Sequence, residues 1–357
     1  MDISAERFGE LNGEKVNKIT LTNDNGVAIS CLTMGALWHE FLVPAADGTK
    51  QNLILNYNTV AEYYSNGLCT NQVIGRVAGR IKNGKCEING EQVILPQNEN
   101  GNTLHGGPHG FNTYNWSFTT SANRNSISII FQKQVLSAVD GFPGDILVTV
   151  IYTLDNSNNV TISFNALGDD EVDTLFNPTN HVYFNLSNRS DLASHELKIN
   201  SDGYLELDEN LIPTGRIRHG EGTAYDFTKG ANLYEAIQQN EKGGFDDAFV
   251  VNGPGKAVEP IAVLRDTQSG NTVTIDSDRN SLIMYTMNDD LPDVHFKRDN
   301  GRPAKKQEGV ALEAQTLPDA INQETFGDIV LPRGAKRSYH IKYTYSNDAV
   351  CKIKLEK

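Results

Sequence analysis

Short runs in which apolar and polar residues alternate, each closed by a turn rich in Asn or Gly, recur along the whole chain and constrain its fold more than any other feature. Ile19-Thr20-Leu21 and Val27-Ala28-Ile29-Ser30-Cys31 flank Asn23-Asp24-Asn25-Gly26, the pattern of two half-buried strands joined by a turn, so the chain is expected to open with a hairpin. The same pattern returns at Ser126 to Val135, Asp145 to Leu154, Val160 to Phe164 and Val273 to Ile275. In Ser338 to Tyr345 it puts Tyr339, Ile341, Tyr343 and Tyr345 on one face and His340, Lys342 and Thr344 on the other. Helical periodicity is confined to Ala231 to Gln239 and a short turn near Val60 to Tyr64. With no solenoid or propeller repeat, these strands must pair over long range into stacked sheets, an all-β sandwich with a few short helices.

A chain of 357 residues is long for one domain, but no internal boundary interrupts it, so residues 1–357 are read as a single unit. The formal net charge of −14, without a Lys/Arg-dense stripe, sets the field against nucleic acid and anionic membrane surfaces. The acidic opening MDISAERFGELNGEKVNK is unlike a secretory signal and no apolar run is long enough to span a bilayer, which predicts a cytoplasmic protein. Cys31, Cys69, Cys86 and Cys351 are scattered, with neither a C-x-x-C pair nor His at metal-ligand spacing, and are read as reduced thiols.

Two apparent motifs fail on chemistry. Gly79 to Lys85 has phosphate-loop spacing but is followed by Cys86, where a magnesium-binding hydroxyl is needed, and by strand rather than helix. His105 and His109 are four apart, yet Gly106-Gly107-Pro108 between them cannot hold the helix that would aim both at one zinc ion.

Four other segments carry chemistry. In Asn102-Thr-Leu-His105-Gly106-Gly107 the glycines let a ligand approach the backbone beside His105; the plainer alternative is a turn His bonded to its own loop. Phe176 to Leu186 packs Asn, Thr, His181 and Tyr among large apolar residues, a density that is costly to bury unless each polar group is paired. Glu313 follows Val310-Ala311-Leu312, which puts it at the end of a buried strand. Desolvation there would raise its pKa toward that of a general base; the competing reading is pairing with an arginine. Gly243 to Phe249 adds Asp246 and Asp247 on a glycine-flexed loop, where holding sugar hydroxyls is favoured over calcium because oxygen ligands at alternate spacing are missing.

Taken together and in order, TLHGG (103–107), NPTNHVYFNLS (177–187), LIPTGRI (211–217), GFDD (244–247) and EAQTLPDAIN (313–322) resemble the aldose 1-epimerase (galactose mutarotase) family. Val73 to Ile81 and Asp140 to Gly144 extend the resemblance over nearly the whole chain. It implies a large antiparallel β-supersandwich with a sugar cleft across one sheet. Glu313 then resembles the base that takes the proton from the anomeric hydroxyl, and His181 the acid that protonates the ring oxygen. Arg80, His105 and Asp246 resemble residues that bind and orient the pyranose. Opening a hemiacetal needs one proton removed from O1 and one delivered to O5, so no metal or other cofactor is expected. The expected partner is a small sugar substrate, and the protein is expected to be a monomer or homodimer.

The chain departs from the family's usual pattern in two places, with Gly79 where Asn precedes the arginine and Asp247 where His follows the aspartate. Loss of the Asn side chain implies a wider cleft, open to a reducing disaccharide such as maltose or lactose as well as to galactose or glucose. The rival readings are a sugar lectin on the same fold and a glycoside hydrolase pairing Glu313 with Asp246 or Asp247.

Overall fold

The computed structural model describes residues 1–45, 47–253 and 259–347. Three antiparallel sheets dominate it. A nine-stranded sheet runs in the order Ser117–Ala122, Ser126–Val135, Ile146–Asp155, Asn159–Gly168, Lys336–Asn347, Asn271–Ser277, Glu259–Asp266, His195–Ile199 and Ala231–Asn232. A six-stranded sheet follows the order Tyr183–Phe184, Val310–Gln315, Ser281–Tyr285, Asp246–Val250, Gly203–Leu207 and Pro213–His219. The N-terminal five strands, Asp2–Leu11 to Lys50–Asn52, form the third sheet.

Alternation fixes which face each strand buries. Along Ile146–Asp155 every second residue, from Ile146 through Val148, Val150 and Tyr152 to Leu154, is buried. These side chains enter one apolar core with Ile29 and Phe41 of the five-stranded sheet and Leu282, Met284, Leu312 and Ala314 of the six-stranded sheet. The all-β supersandwich expected from the sequence is therefore the architecture found, and the terminal strand places Ile341, Tyr343 and Tyr345 in that core.

The first hairpin forms as expected, with Thr22 opposite Ala28. The chain nevertheless opens one strand earlier: Asp2–Leu11 pairs along the outer edge of Glu14–Thr22. Most of its residues are exposed or half-exposed, so no apolar alternation marked it in the sequence. The helix predicted over Ala231 to Gln239 spans Leu233–Gln239, because Asn232 serves as its N-cap, accepting from the Glu235 amide at 3.0 Å, while Ala231–Asn232 adds a sheet-edge strand. The Val60–Tyr64 turn is helical and closed by a Thr59/Glu62 capping box. Among the described residues no helix is long and apolar enough to cross a membrane. Cys31, Cys69 and Cys86 are free thiols, whereas Cys351 lies outside the described residues.

Candidate active site

Strand alternation in the six-stranded sheet divides it into a core face and a cleft face. Leu312 and Ala314 point into the core, so Glu313 and Gln315 face the other way. Ile283 stands opposite Glu313 in the pairing and Tyr285 opposite Asp246. All five side chains line one cavity of about 320 Å³. Gly79, Arg80, His105 and His181 also line it, as do Gly67, Leu68, Leu207 and Leu211.

Glu313 lies within its strand, not at the end, because the pairing with Ser281–Tyr285 continues through Gln315. Glu313 is 2% exposed, and it contacts His181, whose Nε2 lies 3.3 Å from Oε1. Among the described residues no arginine ion pair to it is found; burial, which dominates, and the charge of Asp246 drive the carboxyl well above its ordinary pKa against the opposing field of Arg80. Burial also pushes His181 down to about 4. Its ring stacks on Tyr183 with centroids 5.0 Å apart and meets the edge of His105 at 5.4 Å. Glu313 Oε2 and His181 Nδ1 are buried without a hydrogen-bond partner among the described residues, which is rare in native interiors and marks the cavity as a place for a polar ligand.

The segment around His181 resolves into scaffold and site. Asn177 exchanges hydrogen bonds with the Thr316 backbone at 3.0 and 3.1 Å, and Thr179 Oγ1 donates to the Ala314 carbonyl at 2.9 Å. Asn180 donates to the Tyr152 hydroxyl at 2.9 Å, and Asn185 to the Glu308 carbonyl at 2.7 Å. The polar density seen in the sequence thus mainly clamps the strand that carries Glu313, while His181 and Tyr183 reach the cavity. Likewise Arg76 and Asp140 form a fully buried pair, Nε to Oδ2 at 2.6 Å and Nη2 to Oδ1 at 3.0 Å, with Arg76 also donating to the Gly144 carbonyl at 2.8 Å. Both motifs that contain them are therefore structural.

Arg80 faces the cavity but is held by Glu99, Nε to Oε2 at 2.6 Å and Nη2 to Oε1 at 2.7 Å. Glu99 was not legible in the sequence, since nothing in a spacing of nineteen residues announces the pair. His105 takes a left-handed φ of 53° and its Nδ1 accepts the Gly79 amide at 3.2 Å, so the neutral ring carries its proton on Nε2. Burial, together with His181 and Arg80, keeps this ring neutral by holding its pKa well below the ordinary value. Of the two alternatives for His105, the structure realises the pocket edge: its ring bonds not to its own loop but to Gly79, from a separate segment.

Asp246 and Asp247 open a strand and do not ride on a flexible loop, so successive side chains diverge. Asp246 faces the cavity with its pKa raised by burial against the counteracting charge of Arg80. Asp247, which also borders the cavity, is tied down by Lys242 Nζ at 2.9 Å. Gln315, Ile283, Tyr285 and Asp289 were missed. Gln315 was within reach, two residues beyond Glu313 on a strand; the others depend on sheet register.

An antiparallel β-supersandwich with a polar cleft that buries His181 against Glu313 places the chain in the galactose mutarotase-like fold class. The galactose 1-epimerase of Lactobacillus acidophilus superimposes with a TM-score of 0.82 at 26% identity, over 97% of this chain and 99% of that one. The sequence pattern of the family described as aldose 1-epimerase matches residues 17–344. An aldose 1-epimerase of Streptococcus thermophilus is 47% identical over 98% of this chain and 100% of its own length, and a maltose epimerase of Levilactobacillus brevis is 39% identical over 97% and 99%. The chain belongs to the aldose 1-epimerase family, enzymes that interconvert the α and β anomers of an aldose.

Proposed function

We propose that the cavity opens and recloses the sugar ring with Glu313 and His181 as the two proton-transfer groups, while Arg80, His105 and Asp246 hold the pyranose. The observation that carries this reading is the 3.3 Å contact between His181 Nε2 and Glu313 Oε1 at a cavity wall. O1 and O5 are bonded to the same carbon, so a donor and an acceptor that address them must also be neighbours. The carboxylate of Glu313 takes the O1 proton as the C1–O5 bond breaks and C1=O1 forms; the His181 imidazolium gives its proton to O5. Rotation about C1–C2 presents the opposite carbonyl face, O5 attacks C1, and both protons return.

The reaction needs one proton on the pair. Burial lowers His181 to about 4 and raises Glu313, so in the free site the shared proton favours the carboxyl. The charged arrangement expected from the sequence, protonated His181 with ionised Glu313, has the same proton count and is one transfer away across 3.3 Å. The positive charge of Arg80 favours the ionised carboxylate. His105, a neutral Nε2 donor, and Asp246, an acceptor, supply complementary hydrogen bonds to hydroxyls.

Gly79 in the cavity wall, which leaves the cleft without a side chain at that point, supports access for a reducing disaccharide beside galactose and glucose, in keeping with the maltose epimerase relative. Polarimetry on freshly dissolved α-anomers tests both levels. Drift no faster than in buffer would reject the reaction. Turnover of maltose or lactose equal to or weaker than that of the monosaccharides would reject the widened cleft. Under the same reading the enzyme acts in the cytoplasm as a monomer or homodimer, which cell fractionation and light scattering check.

A further inference from the structure

Gln315 is the last residue of strand Val310–Gln315 and faces the cleft two positions from Glu313. Its backbone is fixed: the Gln315 carbonyl accepts from Ser281 Oγ at 2.8 Å, and Gln315 pairs with Ser281 across the sheet. Its side chain is fully buried, yet neither Nε2 nor Oε1 has a hydrogen-bond partner among the described residues. A carboxamide held this way retains two donors and an acceptor for whatever enters the cavity.

What gives it room is position 79. Gly79 has φ +72°, and a Cβ built there would come 3.1 Å from Gln315 Nε2 and 3.3 Å from Pro318 Cβ. A residue with a side chain at this point would crowd the carboxamide. Two residues of strand span roughly 6.5 Å, so the Gln315 and Glu313 side chains leave the strand on the cleft face about one sugar ring apart.

We propose that Gln315 is a substrate-positioning residue that reads one ring hydroxyl away from the anomeric centre, and that Gly79 leaves its carboxamide free to do so. A hydroxyl donates and accepts through a single oxygen, and the adjacent donor and acceptor of a carboxamide match both roles. This inference rests on the reading of the cavity as a sugar site.

The test is polarimetry with glucose and a panel of glucoses each lacking one hydroxyl at C2, C3, C4 or C6, using the full chain, Gln315→Leu and Gly79→Asn, with thermal melts to confirm folding. Gln315→Leu is expected to lower kcat/KM for glucose by about tenfold or more, mostly through KM, while one deoxy sugar is turned over almost equally by the parent and the variant. Gly79→Asn, tolerated at positive φ, is expected to erase discrimination at that same hydroxyl. Equal losses across all sugars, or none, would overturn the role of Gln315. Intact discrimination in Gly79→Asn would overturn that of Gly79. Inactivity of the parent chain on glucose, maltose, lactose and galactose would count against the functional reading instead.

Discussion

His181 Nε2 and Glu313 Oε1 meet at 3.3 Å although they come from different parts of the chain: the link between Thr179–Asn180 and Tyr183–Phe184, and the strand Val310–Gln315 that pairs with Tyr183–Phe184. The pairing of Tyr183 with Ala311 is what delivers them to the same place. Both groups lose hydration there, and each is left with one unpaired polar atom among the described residues.

Removing either group is expected to abolish most of the catalysed mutarotation. Glu313→Gln and His181→Asn should each lower kcat by about 10²- to 10⁴-fold, the usual contribution of one proton-transfer group. Sugar affinity measured by calorimetry should change far less. Full activity in either variant would exclude that residue from proton transfer.

The rate should follow a bell-shaped pH dependence. On the acid side a second proton reaches His181 near its lowered value of about 4, leaving no base in the pair. On the alkaline side Glu313, raised by burial, loses the shared proton and no acid remains. A pH series of kcat for the parent chain checks this. In His181→Asn the acid limb near 4 should vanish from whatever residual rate is measurable.

Stability gives an independent readout with a definite sign. The folded-state pKa of Glu313 lies above its unfolded value, so its contribution is fully present in acid and is lost as pH rises from the ordinary carboxylate range toward the raised folded value. Glu313→Gln removes that loss. Its Tm relative to the parent should therefore climb between pH 4.5 and 8, by about 2 °C per kcal/mol relieved. His181 runs oppositely: its contribution is present above the ordinary histidine range and lost as pH falls through about 4, so His181→Asn should flatten the acid side of the stability curve. A flat difference between the parent and Glu313→Gln would show that the carboxyl is not desolvated.

The buried Arg76–Asp140 pair is expected to hold the fold without touching chemistry. Asp140→Ala strands a fully buried guanidinium and should cost about 3–5 kcal/mol in chemical denaturation. The kcat of the fraction that remains folded should stay near that of the parent. A selective loss of kcat with unchanged stability would place this pair in the site instead.

How much could be read in advance follows the range of the interactions. The strands Ser126–Val135, Ile146–Asp155, Asn159–Gly168 and Lys336–Asn347 were visible because alternation is a local property and these strands bury one face. Asp2–Leu11 was not, since an exposed edge strand needs no apolar side. Glu313, His181, Arg80, His105 and Asp246 were named through motif order, and all five side chains converge on one cavity. Glu99 as the holder of Arg80, and Tyr285 facing Asp246, could not be named in the same way.

The sequence by itself determined the strand-rich class, the family and the residue types capable of proton transfer, because periodicity and motif order lie in the chain and need no partner. Tertiary structure alone decided that Asn177 and Thr179 are clamps, that Asp247 belongs to Lys242, and that Glu313 lies against His181. Those outcomes depend on sheet register and on desolvation. Lys242 and Asp247 are only five residues apart, but Thr179 with Ala314 and His181 with Glu313 meet across more than a hundred, and no local pattern encodes that register.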